Sequence, residues 1–236
     1  MELNKIYKQD CIEFMNAEGM ENSFDMIVTS PPYNFGGFNR NGRARNYDTY
    51  SDDMPDEAYR EWIGKVLRGC ARVLKDGGVL YWNHKGQWRD GIYKHPFWVI
   101  DLCPLPLRQH IVWKYPSSPD VAKDKFYPRH EEIFVFSKGK PKSFNEEMAA
   151  IGDVWEISHI QENKHPAPFP LNLARRAISA SCPSGGIVYD PFIGSGTTGL
   201  AAVDLGVNYV GTEISQNYVA YAESRIGIKQ SEPGLF

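Results

Sequence analysis

Apolar and polar positions follow two different spacings along this chain. Short apolar runs rich in β-branched side chains, such as 24–29, are typical of buried strands. Longer stretches with apolar residues three or four positions apart, such as 171–181, predict helices with one buried face. The pattern predicts strands at 5–9, 24–29, 79–82, 108–113, 132–136, 186–190 and 209–213, and helices after residue 10, from about 54, and at 171–181, 199–205 and 217–225. Strands that alternate with helices predict an α/β fold, with a mainly parallel, twisted sheet and helices on both faces.

The size and composition of the chain fit one ordinary globular domain. It has 236 residues, of which 42% are hydrophobic and 23% charged, so a wholly disordered or coiled-coil chain is not expected. We therefore predict a single domain over 1–236, with a small polar insertion around 138–164 that is a candidate recognition element. The formal net charge is -3, so a nucleic-acid partner would have to be held by a local basic patch.

The cysteines and the N-terminal residues bear on metals and location. Cys11, Cys70, Cys103 and Cys182 are scattered and form no CxxC pair, which predicts reduced thiols and no zinc site. No apolar run reaches the roughly 18 residues of a membrane-spanning helix. The first residues also lack the apolar core of a secretory signal. We expect a cytoplasmic protein without a membrane partner.

A glycine-rich turn, DPFIGSGTT at 190–198, lies between a predicted strand and a predicted helix. Glycines allow the backbone to approach a ligand closely, and nucleoside ligands bind at the carboxyl ends of strands in such sheets. Glu213 ends the next strand, about 20 residues further on, which is the offset of an acid that binds a ribose hydroxyl. Taken singly, these features also fit a tight turn and a solvated acid. Together they favour an adenosine-containing cofactor.

The segment Ser30-Pro31-Pro32-Tyr33-Asn34 follows a predicted buried strand. One interpretation is a proline turn that simply ends this strand, since two prolines cannot continue a hydrogen-bonded ladder. In the functional interpretation, the prolines fix the backbone so that the Ser30 hydroxyl and a main-chain carbonyl converge on one point. Two converging acceptors suit an amino group, which donates two hydrogens, and the Tyr33 ring offers a stacking surface for a planar base.

Three arginines follow this segment in a stretch rich in Gly, Asn and Asp. Arg40, Arg43 and Arg45 lie within 34–53, where the composition predicts a loop. We interpret them as a candidate phosphate clamp, because arginine neutralises the backbone of a nucleic acid. A solvated surface loop is the alternative.

A pair of motifs resembles the S-adenosylmethionine-dependent DNA amino-methyltransferases: Ser-Pro-Pro-Tyr at 30–33 and, far downstream, Asp-Pro-Phe-x-Gly-x-Gly-Thr-Thr at 190–198. Those enzymes methylate the exocyclic amine of adenine (N6) or cytosine (N4). The target motif precedes the cofactor motif, which is similar to their β group, whose sheet is circularly permuted. Asp10-Cys11 and the segments 130–139 and 165–170 add local matches. The resemblance implies a Rossmann-like methyltransferase fold, S-adenosylmethionine as cofactor and double-stranded DNA as substrate.

The resemblance also implies roles for individual residues. Ser30, Pro31, Pro32 and Tyr33 would hold the target base and form the catalytic segment. Cofactor contacts would come from both motifs and from neighbouring segments, namely Asp10, Cys11, Ser30, Pro168, Phe169, Asp190, Phe192, Gly194, Ser195, Gly196, Thr197 and Glu213. Both motifs must then meet at the carboxyl edge of one sheet, with Tyr33 and Phe192 beside a shared hollow.

The target and the partners stay open at this point. Ser30 is commoner among the cytosine enzymes of the family, whereas Asn34 after the tyrosine is more like the adenine enzymes, so the two hints conflict. An RNA or protein-glutamine methyltransferase is less favoured, because those enzymes typically place Pro-Pro-Tyr after the glycine-rich turn. A non-catalytic nucleic-acid-binding module is a third hypothesis. A homodimer, a companion restriction endonuclease and, in a bacterium, association with the nucleoid are further open expectations.

Overall fold

A central sheet between two layers of helices forms the structure, a computed structural model that describes residues 1–35, 49, 52–89, 91–117, 124–158 and 169–231. Its strands are β1 (Lys5–Lys8), β2 (Phe24–Thr29), β3 (Leu74–His84), β4 (Gln87–Arg89), β5 (Ile92–Lys94), β6 (Leu107–Lys114), β7 (His130–Ser137), β8 (Val154–Glu156), β9 (Ile187–Asp190) and β10 (Asn208–Glu213). Its helices are α1 (Cys11–Asn16), α2 (Asp56–Val73), α3 (Trp98–Leu102), α4 (Leu171–Ser181), α5 (Thr197–Asp204) and α6 (Gln216–Ser231). A short 3-10 helix, Glu146–Ile151, precedes β8.

The sheet has eight strands in the order β1-β10-β9-β2-β3-β7-β6-β8. From β1 to β3 all neighbours are parallel, and β7 is antiparallel to both β3 and β6. Strands β2 and β9 are far apart in the sequence but pair directly, with Ile27 opposite Tyr189. The predicted α/β fold with a mainly parallel sheet is therefore confirmed.

Both faces of the sheet are buried under helices. α1, α2 and α3 cover one face, where Ile27 and Trp82 are completely buried. α4 and α5 cover the other face, where Met26 and Val188 are completely buried. α6 packs with α5 beside β1 and β10. A strand that is buried on both faces needs consecutive apolar residues, which explains the run Met26-Ile27-Val28.

The main differences from the sequence-based expectation lie between β3 and α4. The elements β4, β5, α3 and β8 were not predicted. β8 falls inside 138–164, which we expected to be polar and irregular, yet it pairs in parallel with β6, with Trp155 opposite Trp113. In this strand Trp155 is buried, whereas Val154 and Glu156 are exposed. A three-residue strand with one buried side chain carries no periodic signal.

The four cysteines are free thiols. Burial raises the pKa of Cys70 well above its usual value and that of Cys103 to about 12, so both thiols are protonated at neutral pH. In the part of the chain that the structure describes, no helix is long and apolar enough to cross a membrane. Over the same residues, no group of three or more His, Cys, Asp or Glu side chains is arranged to hold a metal ion.

Gly211 tests how tightly β10 packs against the glycine-rich turn. A Cβ at this position would overlap with Ile193 Cδ1 and would lie 2.8 Å from Ile193 Cβ. We expect Gly211→Ala to lower the free energy of unfolding by about 1–3 kcal/mol, as overpacking does in other cores, measured by urea denaturation. Gly227→Ala is the control, because a Cβ there meets nothing within 4 Å and alanine favours a helix by about 1 kcal/mol. Equal effects of the two substitutions would contradict this packing.

Candidate functional site

A cavity of about 270 Å³ opens at the carboxyl edge of the sheet. The turn after β2, residues 30–33, forms one side of it, and the turn after β9, residues 191–195, forms another. Asp10 after β1 and Glu213 at the end of β10 also line it. Because β1, β10, β9 and β2 are parallel neighbours, their carboxyl ends lie at one edge of the sheet. The two predicted motifs therefore share one hollow, as we expected from the sequence.

Asp190, the last residue of β9, organises the glycine-rich turn. It is completely buried, and its carboxylate accepts hydrogen bonds from Thr29 Oγ1 (2.8 Å), Thr198 Oγ1 (2.6 Å) and the Phe192 backbone N–H (3.0 Å). Burial raises the pKa of Asp190 to about 6, although the three hydrogen bonds act in the opposite direction. The carboxylate therefore ties β2, the turn and the start of α5 together. Gly196 ends the turn with φ of 84°, a left-handed conformation that favours glycine.

Two carboxylates stand at the β1–β10 end of the cavity. Asp10 Oδ1 accepts the backbone N–H groups of Ile12 (2.8 Å) and Glu13 (3.1 Å), so Asp10 also caps the N-terminus of α1. Glu213 Oε1 accepts the Ser215 backbone N–H at 2.8 Å, which orients the Glu213 side chain. An ionised carboxylate only accepts hydrogen bonds, so this end of the cavity suits a ligand with hydroxyl or amino groups.

The opposite end of the cavity is built from a network of polar side chains. Ser30 Oγ lies 2.7 Å from Tyr33 Oη, and Tyr33 Oη donates to Glu131 Oε2 at 3.0 Å. Asn83 Nδ2 donates to Tyr33 Oη at 2.5 Å and to Glu131 Oε2 at 2.9 Å. Tyr33, Asn83 and Glu131 are buried, while Ser30 is partly exposed to the cavity. The network therefore holds the Ser30 hydroxyl at the cavity wall from behind.

A second group of side chains supports the two prolines. Tyr59 Oη, from α2, donates to the Pro32 carbonyl at 2.7 Å and lies 3.1 Å from His84 Nε2. The His84 ring stacks on Tyr33, with ring centroids 5.0 Å apart and an angle of 24° between the planes. Burial lowers the pKa of His84 to about 4, so the imidazole is neutral at physiological pH. Uncharged His84 thus packs behind the target motif without bringing a positive charge to it.

Asn34 fastens the end of the motif to the start of α2. It has φ of 61°, a left-handed conformation that asparagine tolerates. Its side chain donates to the Met54 carbonyl at 2.8 Å and accepts the Met54 backbone N–H at 2.6 Å. Buried Asp52 accepts the backbone N–H groups of Asn34 (2.7 Å) and Phe35 (3.0 Å). The Asn34 side chain thus stabilises the conformation of its own loop, and it is not among the side chains that line the cavity.

Comparison with known proteins identifies the chain. A family model described as DNA methylase matches residues 24–224. The chain belongs to the DNA methylase family. The type II methyltransferase M.HpaI of Haemophilus parainfluenzae is 32% identical over 231 residues, covering 87% of this chain and 69% of that protein. The predicted relationship to the S-adenosylmethionine-dependent DNA amino-methyltransferases is therefore confirmed.

Solved structures of similar proteins share the fold of this DNA methylase. The PvuII DNA methyltransferase (cytosine-N4-specific) has a TM-score of 0.77 at 21% identity, covering 98% of this chain and 87% of that chain. TTHA0409 of Thermus thermophilus, solved in complex with S-adenosyl-L-methionine, has a TM-score of 0.70 at 24% identity, covering 97% of this chain and 96% of that chain. The predicted methyltransferase fold is confirmed by these two similarities.

Most of the residues predicted from the sequence line the cavity of this methylase, namely Asp10, Cys11, Ser30, Pro31, Pro32, Tyr33, Phe169, Phe192, Gly194, Ser195, Thr197 and Glu213. Asp190 and Gly196 lie behind the wall, where they hold the turn in place. Four predicted residues lie outside the described ranges, namely Arg40, Arg43, Arg45 and Pro168.

Sequence inspection missed four residues that support the target motif. Asn83 and His84 end β3, Glu131 lies near the start of β7, and Tyr59 lies on α2. The segment 130–139 was matched to the family, but no residue in it was given a role. The available signal was polarity: Asn83, His84 and Glu131 are polar residues at the ends of otherwise apolar strands. Such residues are enriched at functional sites on this edge of an α/β sheet.

The raised pKa of Asp190 predicts a specific dependence of stability on pH. Because folding raises this pKa from 3.8 to about 6, the folded methylase binds the Asp190 proton more tightly than the unfolded chain does. The contribution of this group to the free energy of unfolding therefore falls as the pH rises from about 4 to about 6. Asp190→Asn cannot titrate, so we expect urea denaturation to show the wild type losing stability relative to this variant across that window. A difference in the free energy of unfolding between the wild type and Asp190→Asn that stays constant with pH would contradict the raised pKa of Asp190.

Proposed function

We propose that this methylase transfers the methyl group of S-adenosylmethionine to the exocyclic amine of a base in double-stranded DNA. The observation that carries the proposal is the cavity whose wall includes both the glycine-rich turn and the Ser-Pro-Pro-Tyr turn. A methyl donor and an amine acceptor must lie within bonding reach, and a shared hollow provides that proximity. Membership of the DNA methylase family favours a DNA base over the RNA and protein-glutamine alternatives.

The β1–β10 end of the cavity fits the cofactor. We assign the Glu213 carboxylate to the ribose hydroxyls and the Asp10 carboxylate to the adenine amine, because both ligand groups are hydrogen-bond donors. Phe192 and the backbone at Gly194, which has φ of 48°, would flank the methionine side. When bound, the cofactor supplies a methyl group that its positive sulfur already activates. TTHA0409, which shares the fold, was solved in complex with this cofactor.

The Ser-Pro-Pro-Tyr end fits an amino group. Tyr33 has one hydroxyl hydrogen and donates it to Glu131, so the hydrogen between Ser30 and Tyr33 belongs to Ser30. The Ser30 oxygen, which also accepts a hydrogen bond of 3.4 Å from Asn83 Nδ2, then keeps one lone pair for a hydrogen of the target amine. The Pro32 carbonyl is engaged by Tyr59, and we assign the second amine hydrogen to the Pro31 carbonyl.

These acceptors explain how the methylase would activate a poor nucleophile. The lone pair of an exocyclic amine is delocalised into the base ring. Two acceptors that hold the amine hydrogens out of the ring plane would restore that lone pair, and a fixed in-line geometry lowers the entropic part of the barrier. The base has to leave the duplex to reach the cavity, which costs a few kcal/mol of unstacking. Contact with Tyr33, which lines the cavity, would offset part of this cost.

The surface beside the target motif offers a place for the duplex. Gln87 and Arg89, in the β4–β5 hairpin, donate hydrogen bonds to the backbone carbonyls of Tyr33 and Asn34. On the same hairpin, Trp88 is 41% exposed and the Lys125 ammonium lies 4.5 Å from the centre of its ring. Exposed aromatic and basic groups next to a base-binding cavity are typical of nucleic-acid contacts. The phosphate clamp proposed for 40–45 lies outside the described residues.

Cytosine N4 is the first candidate for the target, and adenine N6 the second. The two hints in the sequence conflict, because Ser30 is commoner in cytosine enzymes and Asn34 in adenine enzymes. The Asn34 side chain makes two hydrogen bonds to the Met54 backbone and does not line the cavity, so its presence has a structural reason that is independent of the target base. Ser30 lines the cavity, so it is the better indicator of the target base than Asn34, and it favours cytosine.

Product analysis tests this proposal. Genomic DNA would be incubated with the methylase and isotope-labelled S-adenosylmethionine, and the nucleosides of this DNA would be separated and identified by mass spectrometry. We expect labelled N4-methyldeoxycytidine, and the adenine assignment is favoured instead if N6-methyldeoxyadenosine appears. Ser30→Ala should abolish the product while cofactor affinity changes less than about twofold, because Ser30 is assigned to the amine. Wild-type protein that labels neither base would overturn the proposed activity.

Removal of the Glu213 carboxylate should weaken cofactor binding. Losing hydrogen bonds to a charged group costs about 1–3 kcal/mol, so we expect Glu213→Ala to raise the dissociation constant roughly 5- to 150-fold in calorimetry. Glu18→Ala is the control, because it removes the same charge from an exposed residue that is not on the cavity wall. Unchanged affinity in Glu213→Ala would remove this residue from the cofactor site.

A further inference from the structure

We infer that Glu131 is the terminal acceptor of the proton that the target amine releases, and that this proton reaches it through Ser30 and Tyr33. The inference rests on the proposed function, since it concerns the fate of the amine proton during methyl transfer. It assigns Glu131 to the chemistry, although this residue does not line the cavity.

The first support is the continuity of the oxygen chain. Ser30 Oγ and Tyr33 Oη are 2.7 Å apart, and Tyr33 Oη and Glu131 Oε2 are 3.0 Å apart. Both distances lie in the range of O–H···O hydrogen bonds. The chain begins at the cavity wall with Ser30 and ends at a carboxylate that is only 5% exposed.

The second support is the direction of the hydrogens. Tyr33 donates to Glu131, and Ser30 must then donate to Tyr33, because a phenol has one hydrogen. Each hydroxyl hydrogen thus already points toward Glu131. A proton that arrives at Ser30 is passed on by a shift of each hydrogen to the next oxygen, without rotation of a side chain.

Two neighbours hold the end of the chain in position. Asn83 Nδ2 donates to both Tyr33 Oη and Glu131 Oε2, which fixes these two groups relative to each other. The Lys85 ammonium lies 3.8 Å from Glu131 Oε1 and balances the charge of the buried carboxylate. Trp113 of β6 lies opposite Glu131 in the strand pairing.

The step balances in atoms and charge. The amine lone pair forms the new N–C bond as the S–C bond breaks, and the electron pair of the broken bond goes to sulfur. The nitrogen, now positively charged, loses one proton to Ser30 Oγ. The Ser30 proton moves to Tyr33 Oη, the Tyr33 proton moves to Glu131 Oε2, and the methylated amine is left neutral. Glu131, now a carboxylic acid, returns this proton to water before the next turnover.

A carboxylate is needed because a serine hydroxyl alone is a weak base. Without a stronger base behind it, Ser30 would keep a positive charge on its oxygen as the amine nitrogen is deprotonated. Proton transfer to a positioned group contributes typically 100- to 10,000-fold to a rate. Tyr33 is a relay between base and serine, and Asn83 and Lys85 are positioning residues.

The test compares two neighbouring glutamates. Glu131→Gln keeps the size and the polarity of the side chain but cannot accept the proton. We expect its single-turnover rate of methyl transfer to fall about 100-fold or more, while affinities for cofactor and for duplex DNA change less than about twofold. Glu132→Gln is the matched control on the same strand, because Glu132 is similarly buried but contacts His110, 2.5 Å away, instead of Tyr33. Its rate should stay within about twofold of the wild type.

The pH profile separates proton transfer from a structural role. In Glu131→Gln, solvent hydroxide must take over the proton, so the remaining rate should rise with pH where the wild-type rate is flat. The wild type and Glu131→Gln have the same other ionisable groups near position 131, so titration of those groups affects both pH profiles equally. These groups are Tyr33, His84, Lys85, Lys114, His130 and Glu132. Glu131→Asp keeps a carboxylate and should recover part of the rate.

Three results would overturn the inference. The first is a Glu131→Gln rate within about threefold of the wild type. The second is a parallel loss of rate and of cofactor and DNA affinity, which would make Glu131 a structural clamp. The third is a lower rate in Glu131→Gln with the same pH profile as the wild type. In each case the wild type still methylates DNA and the proposed function stands, whereas an inactive wild type would overturn both.

Discussion

The parallel pairing of β2 with β9 is the contact on which the rest of the site depends. Thr29 and Asp190 end these strands 161 positions apart in the chain, and their side chains meet in a buried hydrogen bond of 2.8 Å. The same carboxylate binds Thr198 and the turn backbone at Phe192. Removal of the Asp190 carboxylate would leave the buried hydroxyls of Thr29 and Thr198 without this acceptor, which costs more free energy than the loss of a solvent-exposed hydrogen bond. The target turn and the cofactor turn are adjacent because this pairing is in register.

The two ends of the cavity are built differently, in agreement with the roles proposed for them. Asp10 and Glu213 are oriented by backbone N–H groups of their own turns and are partly exposed, so each can still meet a ligand. Ser30, in contrast, is held by the side chains of Tyr33 and Asn83, and both of these are hydrogen-bonded to Glu131. The hydrogen bonds that join these buried side chains restrict their movement relative to one another. Such rigidity suits a group that must hold an amine in one orientation.

The elements that could be predicted from the sequence are those with long or strongly apolar patterns. The strand at 24–29 and the helix at 171–181 were predicted with the bounds that the structure has. The hairpin β4–β5 and strand β8 were missed, because each strand has three residues and β4–β5 is exposed on much of its surface. Asn34 illustrates a different limit: its place after the tyrosine suggested a base preference, but its side chain is used to anchor the loop.

By itself the sequence determined the α/β alternation, the two motifs and their order, and hence the family. These properties depend on residue types at short spacings, which local backbone chemistry translates into strands, turns and helices. Only the tertiary structure decided which side chains stand behind the motifs, such as Asn83 and Glu131 behind Tyr33. Strand register sets those contacts, and register depends on the packing of both sheet faces at once. A pattern along one strand does not contain that information.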